Sequence, residues 1–213
     1  MNDQAALFKK ASKHLRKADP RLKTVIDTIG VCPLKPYRYR FALLLRSIVS
    51  QQISTSAART IYKRLHTLSG KGQPTAEKII RLSHEELRSV GLSNQKATYV
   101  LHLAEMVLQN NVRLHKMHLL SDEEVTEELI QVKGIGIGNW TAQMFLMFGL
   151  CRPDIFPHDD LGIQNGIQEI YQLKTRPDKQ TCIEIAQRWQ PYRTVASWYC
   201  WRSLEMESTD GPW

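Results

Sequence analysis

The chain has 213 residues, 42% of them hydrophobic and 23% charged, and this ordinary globular composition excludes a disordered or fibrous protein. Apolar runs stay well below the roughly 18 residues of a membrane span, and the N-terminus lacks the charged and apolar regions of a targeting segment, so we expect a soluble intracellular protein, cytoplasmic or at a bacterial nucleoid. Lys and Arg total 29 against 21 Asp and Glu, for a net charge of +8, and this excess indicates a polyanionic partner.

Helical periodicity dominates the chain, as at Phe41, Leu44 and Ile48, and no segment alternates as a strand would. The apolar pattern predicts helices at 3–18, 21–29, 37–51, 54–68, 74–81, 83–89, 93–110, 122–131, 138–149, 159–171, 178–188 and 193–206. Ser121 and Glu124 form a capping box at the start of one of them. Glycines fit several helix ends, namely Gly30, Gly70 and Gly91. The sequence therefore predicts an all-α fold of mostly short helices joined by tight loops.

The charge excess is confined to the N-terminal fifth of the chain. Residues 1–46 hold 11 basic and 3 acidic side chains, and the remainder holds 18 of each sign. We expect the basic segment to steer a polyanion towards the protein and to add non-specific affinity for it. Its first cations are Lys9, Lys10, Lys13, Arg16, Lys17, Arg21 and Lys23.

The four cysteines are far apart in the sequence, at Cys32, Cys151, Cys182 and Cys200. None belongs to a C-x2-C pair of the kind that holds zinc or an iron-sulfur cluster. We expect reduced, mostly buried thiols in a reducing compartment. No metal or cofactor is predicted.

A glycine-rich segment lies between two apolar helical patterns and contains Gly134, Gly136 and Gly138. Glycine allows a tight turn with positive φ, and the free N–H groups at the start of the next helix suit a phosphate. Taken by itself, the segment fits an ordinary turn between two helices as well as it fits a phosphate site. Lys133, beside the turn, favours phosphate contact.

Two adjacent carboxylates, Asp159 and Asp160, open a predicted helix after Pro157. Only one of them can be the N-cap, and capping at the positive end of the helix dipole is the ordinary interpretation of such a pair. The alternative is that Asp160 is a catalytic carboxylate. His158, which precedes them, is interpreted as a surface or capping residue outside the catalytic set.

The order of these motifs resembles the helix-hairpin-helix (HhH-GPD) superfamily of DNA glycosylases, specifically its 3-methyladenine DNA glycosylase II branch. The glycine segment leads into Trp140-Thr-Ala, and Asp160 follows that Trp by twenty residues. The likeness covers residues 37 to 205 and includes the segments Phe41–Ser54, Leu87–Ala97 and Trp189–Arg193, with Trp201 beyond. The N-terminal β-domain of larger members does not fit before residue 37, so the chain resembles a minimal form.

The resemblance implies a two-domain architecture. A six-helix barrel at 36–149, with its hairpin at 132–140, would pack against a second helical domain formed by 1–35 and 150–213. The second domain would carry the catalytic Asp, and the active site would lie in the cleft between the two. The hairpin is two residues longer than the family's usual form, so which glycine pair contacts phosphate stays open.

The resemblance also implies a role for each matching residue. Asp160 corresponds to the catalytic aspartate, and Asp159 to a neighbour with a supporting or capping role. Trp140 and Trp201 correspond to the base pocket, and Gln52 to the side chain that wedges into the duplex. The implied contacts to the DNA backbone are Lys133, Gly134, Gly136 and Gly138.

The function implied is that of a monofunctional base excision repair glycosylase. It would hydrolyse the N-glycosidic bond of alkylated purines such as 3-methyladenine, flipped out of duplex DNA, and leave an abasic site. Trp140 stands where strand-cutting members carry a lysine nucleophile, and indole cannot form a Schiff base. The partner would be damaged double-stranded DNA, bound by a monomer.

Three alternatives remain open. The first is an enzyme of the same fold for a deaminated, etheno or oxidised base, although the chain lacks the clustered C-x6-C-x2-C-x5-C cysteines of the endonuclease III branch. The second is a non-catalytic helix-hairpin-helix protein that binds DNA damage. The third is a helical scaffold with a basic surface and no preference for damage.

Overall fold

The structure, a computed structural model, describes residues 2–130 and 136–204, with side chains from residue 5 onward. Every regular element in these ranges is a helix, so the all-α prediction is confirmed. None of the described helices is long and apolar enough to cross a membrane. The helices are α1 (Asn2–Ala18), α2 (Pro20–Ile29), α3 (Arg40–Ser50), α4 (Thr55–Leu68), α5 (Ala76–Ile79), α6 (His84–Ser89), α7 (Asn94–Leu108), α8 (Asp122–Ile130), α9 (Asn139–Met144), α10 (Leu161–Tyr171), α11 (Lys179–Gln187) and α12 (Arg193–Leu204).

Two compact units divide the chain. The central unit is residues 36–150 and contains α3 to α9. The terminal unit combines residues 1–35 with 151–213 and contains α1, α2, α10, α11 and α12. The central unit is therefore continuous in sequence, whereas the terminal unit is made from both ends of the chain.

The central unit contains one helix, α3, that is apolar on nearly every side. Leu44, Leu45, Ile48 and Val49 are all 0% exposed. A helix that is hydrophobic all round is buried, because no face of it gains from contact with water. α3 ends at Ser50, and the loop that follows it carries the predicted wedge residue, Gln52.

The terminal unit is held together by a buried carboxylate. One oxygen of Asp19, which is 0% exposed, accepts hydrogen bonds from the N–H groups of Arg21 (2.9 Å) and Leu22 (3.3 Å) and so caps α2. Its other oxygen accepts from Trp189 Nε1 (2.8 Å) and from the Tyr171 hydroxyl. A buried carboxylate costs several kcal/mol unless its lone pairs are satisfied, so these donors tie the N-terminal helices to the C-terminal ones.

Tyr199 makes a second connection between the chain ends. Its hydroxyl donates to the Gly30 carbonyl oxygen (2.7 Å), accepts from the Cys32 N–H (3.1 Å) and lies 3.0 Å from Ser12 Oγ. The side chain is 0% exposed, and burial raises the pKa of Tyr199. The phenol therefore stays protonated and able to donate at neutral pH.

One predicted helix starts later than its apolar pattern suggests. The helix expected at 37–51 begins at Arg40. The Tyr37 N–H donates to the carbonyl oxygen of Phe148 (2.8 Å). This pairing between the two ends of the central unit holds Tyr37 outside the helix.

The helix predicted at 138–149 changes its hydrogen bonding midway. It is α-helical to Met144 and π-helical over Phe145–Gly149, where the Leu150 N–H donates to the Phe145 carbonyl oxygen (3.1 Å). A short 3-10 turn at Met117–Leu119 was also not predicted. Neither feature has a signature in an apolar repeat, because periodicity does not resolve single-turn changes in pitch.

All four cysteines are free and buried, which confirms the predicted burial. Burial raises the pKa of Cys32 and Cys151 to about 12 and that of Cys182 to about 11. Within the described ranges, no group of three His, Cys, Asp or Glu side chains is placed to hold a metal ion.

Candidate active site

Asp160 is the N-cap residue of α10. Its backbone is extended (φ −75, ψ 123), and its carboxylate Oδ1 accepts the N–H of Ile163 at 2.9 Å. The Asp160 N–H donates to the carbonyl oxygen of Pro157 at 2.9 Å, so a turn that begins at the proline places Asp160 at the cap. The capping role considered for Asp159 is therefore wrong.

Asp159 lies on the surface, with its side chain 66% exposed. Its Oδ1 atom is 3.1 Å from His158 Nδ1 and 3.7 Å from Lys179 Nζ. Exposed pairs of this kind contribute at most about 1 kcal/mol. The supporting role of Asp159 stays a prediction.

Trp201, near the end of α12, is hydrogen-bonded to Asp160. The indole N–H donates to Asp160 Oδ1 at 2.9 Å, and Trp201 is 7% exposed. Oδ1 therefore accepts one hydrogen bond from the first turn of its own helix and another from α12. Rotation of the carboxylate to a different rotamer would break both.

The second half of the glycine segment precedes α9 in the central unit. Gly136 has φ +66, and a Cβ there would lie 2.2 Å from Cδ2 of Tyr99, so both the backbone conformation and the ring require glycine. Gly138 is the N-cap of α9, with extended backbone, and nothing lies within 4 Å of a Cβ added to it. Trp140 follows in the first turn of α9 and is half-buried. Lys133 and Gly134 lie outside the described residues.

The loop after α3 is hydrogen-bonded to this hairpin. Gln51 Nε2 donates to the carbonyl oxygen of Gly136 (2.6 Å) and to Thr141 Oγ1 (3.2 Å). Lys96 Nζ donates to the Gln51 carbonyl oxygen (2.6 Å). Gln52, the predicted wedge, is exposed and has φ +56. The loop after α3 is thus joined by hydrogen bonds to the described part of the hairpin within the central unit.

Gln51, Lys96 and Tyr99 build this connection, and no motif in the sequence predicts a role for them. Gln51 and Lys96 lie in two of the segments that resemble the family, and that position was the one indication in the sequence that they belong to the site. Burial lowers the pKa of Lys96, and its ammonium group is compensated by hydrogen bonds to backbone carbonyl oxygens, including that of Val49 at 2.7 Å. Tyr99 gave no signal, because its packing partner is Gly136, 37 positions away.

Each unit carries an arrangement with a clear chemical use. In the terminal unit, a carboxylate is held at a helix N-terminus by two N–H donors. Such a group can stabilise a developing positive charge or accept a proton from water. In the central unit, the Gly136 backbone is hydrogen-bonded to the loop after α3, and that loop carries the exposed side chain of Gln52. Backbone amides that follow glycines suit a phosphate.

Comparison with known proteins gives the same family from sequence and from structure. The family described as "HhH-GPD superfamily base excision DNA repair protein" matches residues 45–191. DNA-3-methyladenine glycosylase 1 of Schizosaccharomyces pombe is 33% identical over 210 residues, which cover 95% of this chain and 90% of that protein. A putative DNA-3-methyladenine glycosylase of Bacillus subtilis is 34% identical over 168 residues, covering 76% of this chain but only 58% of that protein.

A solved structure shows the same relationship in three dimensions. The S. pombe 3-methyladenine DNA glycosylase, in complex with abasic DNA, superposes with a TM-score of 0.83 at 33% identity, covering 92% of this chain and 97% of that one. The 3-methyladenine DNA glycosylase of Archaeoglobus fulgidus shares the fold with a TM-score of 0.81 at 24% identity, covering 97% of this chain and 71% of that one. The chain belongs to the HhH-GPD superfamily of base excision DNA repair proteins.

Proposed function

We propose that the protein is a monofunctional DNA glycosylase that hydrolyses the N-glycosidic bond of alkylated purines in double-stranded DNA. The observation that carries the proposal is the Asp160 carboxylate, fixed at the start of α10 by the Ile163 and Trp201 N–H groups. The substrate class is supported by the S. pombe relative named for 3-methyladenine, of which this chain covers 90%. The enzyme acts as a monomer and without a cofactor.

The chemistry needs little beyond a placed carboxylate. The target base first leaves the stack, at a cost of a few kcal/mol that is lowest for damaged pairs. A purine alkylated at N3 or N7 is cationic, so it departs with the electron pair of the glycosidic bond and becomes neutral. The sugar is left with oxocarbenium character, which a nearby carboxylate stabilises.

Asp160 then assists the addition of water to the sugar. The carboxylate orients a water molecule and accepts its proton as the oxygen bonds to the anomeric carbon. The products are the free base and an abasic site. Trp140 offers its ring to the cationic base, and stacking with cation-π attraction adds about 0.5–2 kcal/mol.

The hairpin and the loop bonded to it would hold the DNA. Of the two described glycines, Gly138 is better suited to a close phosphate, because its Cβ position is open, whereas that of Gly136 is occupied by the Tyr99 ring. Gln52, which is exposed, would fill the space that the flipped base leaves. Lys133 and Gly134 complete the proposed contacts to the DNA backbone.

Base release from defined duplexes tests the proposal. Duplexes that contain 3-methyladenine, 7-methylguanine, 1,N6-ethenoadenine, hypoxanthine or 8-oxoguanine are incubated with the protein and with Asp160→Asn. We expect release of the alkylated bases and a loss of at least about 100-fold in the variant. Release of another lesion alone would instead support a different specificity on the same fold, and binding without release would support a damage-binding protein.

A covalent trap tests the monofunctional assignment. Borohydride reduces a Schiff base to a stable enzyme-DNA bond, so it captures only enzymes with an amine nucleophile. We expect no covalent product on alkylated DNA. A trapped complex would contradict the assignment and show that the protein supplies an amine nucleophile.

A further inference from the structure

Two glycines on α10 set how closely α12 approaches it. Gly162 and Gly166 are four residues apart and so lie on the same face of the helix. A Cβ on Gly166 would lie 2.3 Å from the backbone oxygen of Cys200. A Cβ on Gly162 would lie 2.8 Å from Cδ1 and 2.9 Å from Nε1 of Trp201. The backbone of α12 therefore rests in a groove that side chains on α10 would fill.

The same groove directs the indole of Trp201 towards Asp160. The missing Cβ of Gly162 would also lie 3.0 Å from Asp160 Oδ1, so it stands beside both partners of the hydrogen bond. Trp201 Nε1 donates to that oxygen at 2.9 Å. With Trp201 only 7% exposed, most of the ring is in contact with protein and its nitrogen edge meets the carboxylate.

We propose that Trp201 is a positioning residue for Asp160, acting through its N–H group, and that Gly162 and Gly166 keep the two helices at the separation this bond requires. The inference rests on the proposed function. It differs from the base-pocket role that the family resemblance implies for Trp201, because an indole that only contacts the base needs its ring and not its N–H. A carboxylate displaced by about 1 Å can lose about 100-fold in rate, so a single hydrogen bond is enough to matter.

Trp201→Phe separates the two roles, because phenylalanine keeps an aromatic ring and removes the donor. We expect kcat for release of a methylated purine to fall about 10- to 100-fold, with KM and affinity for abasic DNA within about twofold. Trp198→Phe is the matched control. Trp198 lies on the same helix and is 9% exposed, and we expect its kcat to stay at the wild-type value.

Gly162→Ala tests the groove with every partner side chain retained. We expect its kcat to fall as in Trp201→Phe, because the added methyl group separates the indole from the carboxylate. Thermal unfolding of each variant shows whether it is folded. If Trp201→Phe does not fold, Gly162→Ala carries the kinetic test in its place.

The outcomes separate a failure of the positioning role of Trp201 from a failure of the proposed function. If the wild type is active and Asp160→Asn is not, an unchanged kcat in Trp201→Phe, or a raised KM with unchanged kcat, overturns the positioning role and leaves the proposed function intact. If the wild type releases no base, the proposed function fails. In that case the Trp201 indole resonance in ¹⁵N–¹H spectra still decides whether the bond exists. We expect it to move in Asp160→Asn while that of Trp198 does not, and an unmoved Trp201 signal would refute the bond.

Discussion

The ring of Tyr99 occupies the position that a side chain at Gly136 would need, with Tyr99 Cδ2 only 2.2 Å from the Cβ site. The ring therefore packs directly on the backbone of the hairpin. Gly136 also has φ +66, a conformation that costs an L-residue roughly 1–2 kcal/mol. Two independent constraints thus select glycine at this position.

Gly136→Ala is expected to destabilise the protein by about 1–3 kcal/mol, because the methyl group adds backbone strain to a clash with the ring. Thermal unfolding measures the change. Gly138→Ala is the matched control, since its backbone is extended and its Cβ site is open. We expect Gly138→Ala to unfold like the wild type but to bind DNA more weakly. Equal destabilisation by the two variants would contradict the distinction drawn between these glycines.

Gln51→Ala is expected to lower both stability and activity. The change removes the hydrogen bonds to Gly136 and Thr141, each of which stabilises the fold by about 0.5–1.5 kcal/mol. The loop after α3 then loses these two connections to the hairpin. Gln52→Ala is the comparison, because Gln52 is exposed and its loss should leave thermal unfolding unchanged while slowing base release. A Gln51→Ala protein as stable as the wild type would show that these bonds do not hold the loop.

Neutralising the exposed lysines of α1 is expected to reduce the salt dependence of DNA binding. Lys9, Lys10 and Lys13 are exposed, and each phosphate contact contributes about 0.9 to the slope of log affinity against log salt. Changing all three to Gln should flatten that slope and leave single-turnover base release unchanged. The matched control neutralises Lys63, Lys71 and Lys116, which are exposed in the central unit. An identical slope in the two triple variants would mean that net charge matters and its location does not.

The buried thiols are expected to resist modification in the native protein. Burial raises the pKa of Cys32 and Cys151 to about 12, so at pH 8 they are protonated as well as inaccessible, and a disulfide reagent should label them only after denaturation. The sign for stability follows from linkage: above about pH 9 the unfolded thiols ionise while the folded ones do not, so stability falls as pH rises from about 9 towards 12. Denaturant unfolding at pH 8 and pH 10 measures this fall. Rapid labelling of the native protein at pH 8 would contradict the burial.

Local features of the fold could be predicted from the sequence, because their partners are close in the chain. The capping box of Ser121 and Glu124 forms as expected, with bonds of 2.7 Å and 3.2 Å, since three residues of helix geometry determine it. The choice between Asp159 and Asp160 as the cap could not be made this way. Both residues can cap, and a turn from Pro157 decides between them.

The contacts that build the site could not be predicted in the same way. Gln51 meets Gly136 across 85 positions, and Trp201 meets Asp160 across 41. Apolar periodicity records which face of a helix is buried and carries no information about which distant residue lies against it. The family resemblance supplied Asp160 and Trp201 as site residues, but only the structure joins them by a hydrogen bond.

The buried Asp19 has a consequence for the order in which the protein is made. Its partners Tyr171 and Trp189 are translated 152 and 170 residues after it, and a ribosome adds about 5–20 residues per second. For roughly 8 to 34 seconds at that rate, the carboxylate has its α2 cap contacts with Arg21 and Leu22 but lacks the two donors from the C-terminal helices. The central unit, whose residues 36–150 emerge as one stretch, can fold first, and the terminal unit closes only when α12 leaves the ribosome.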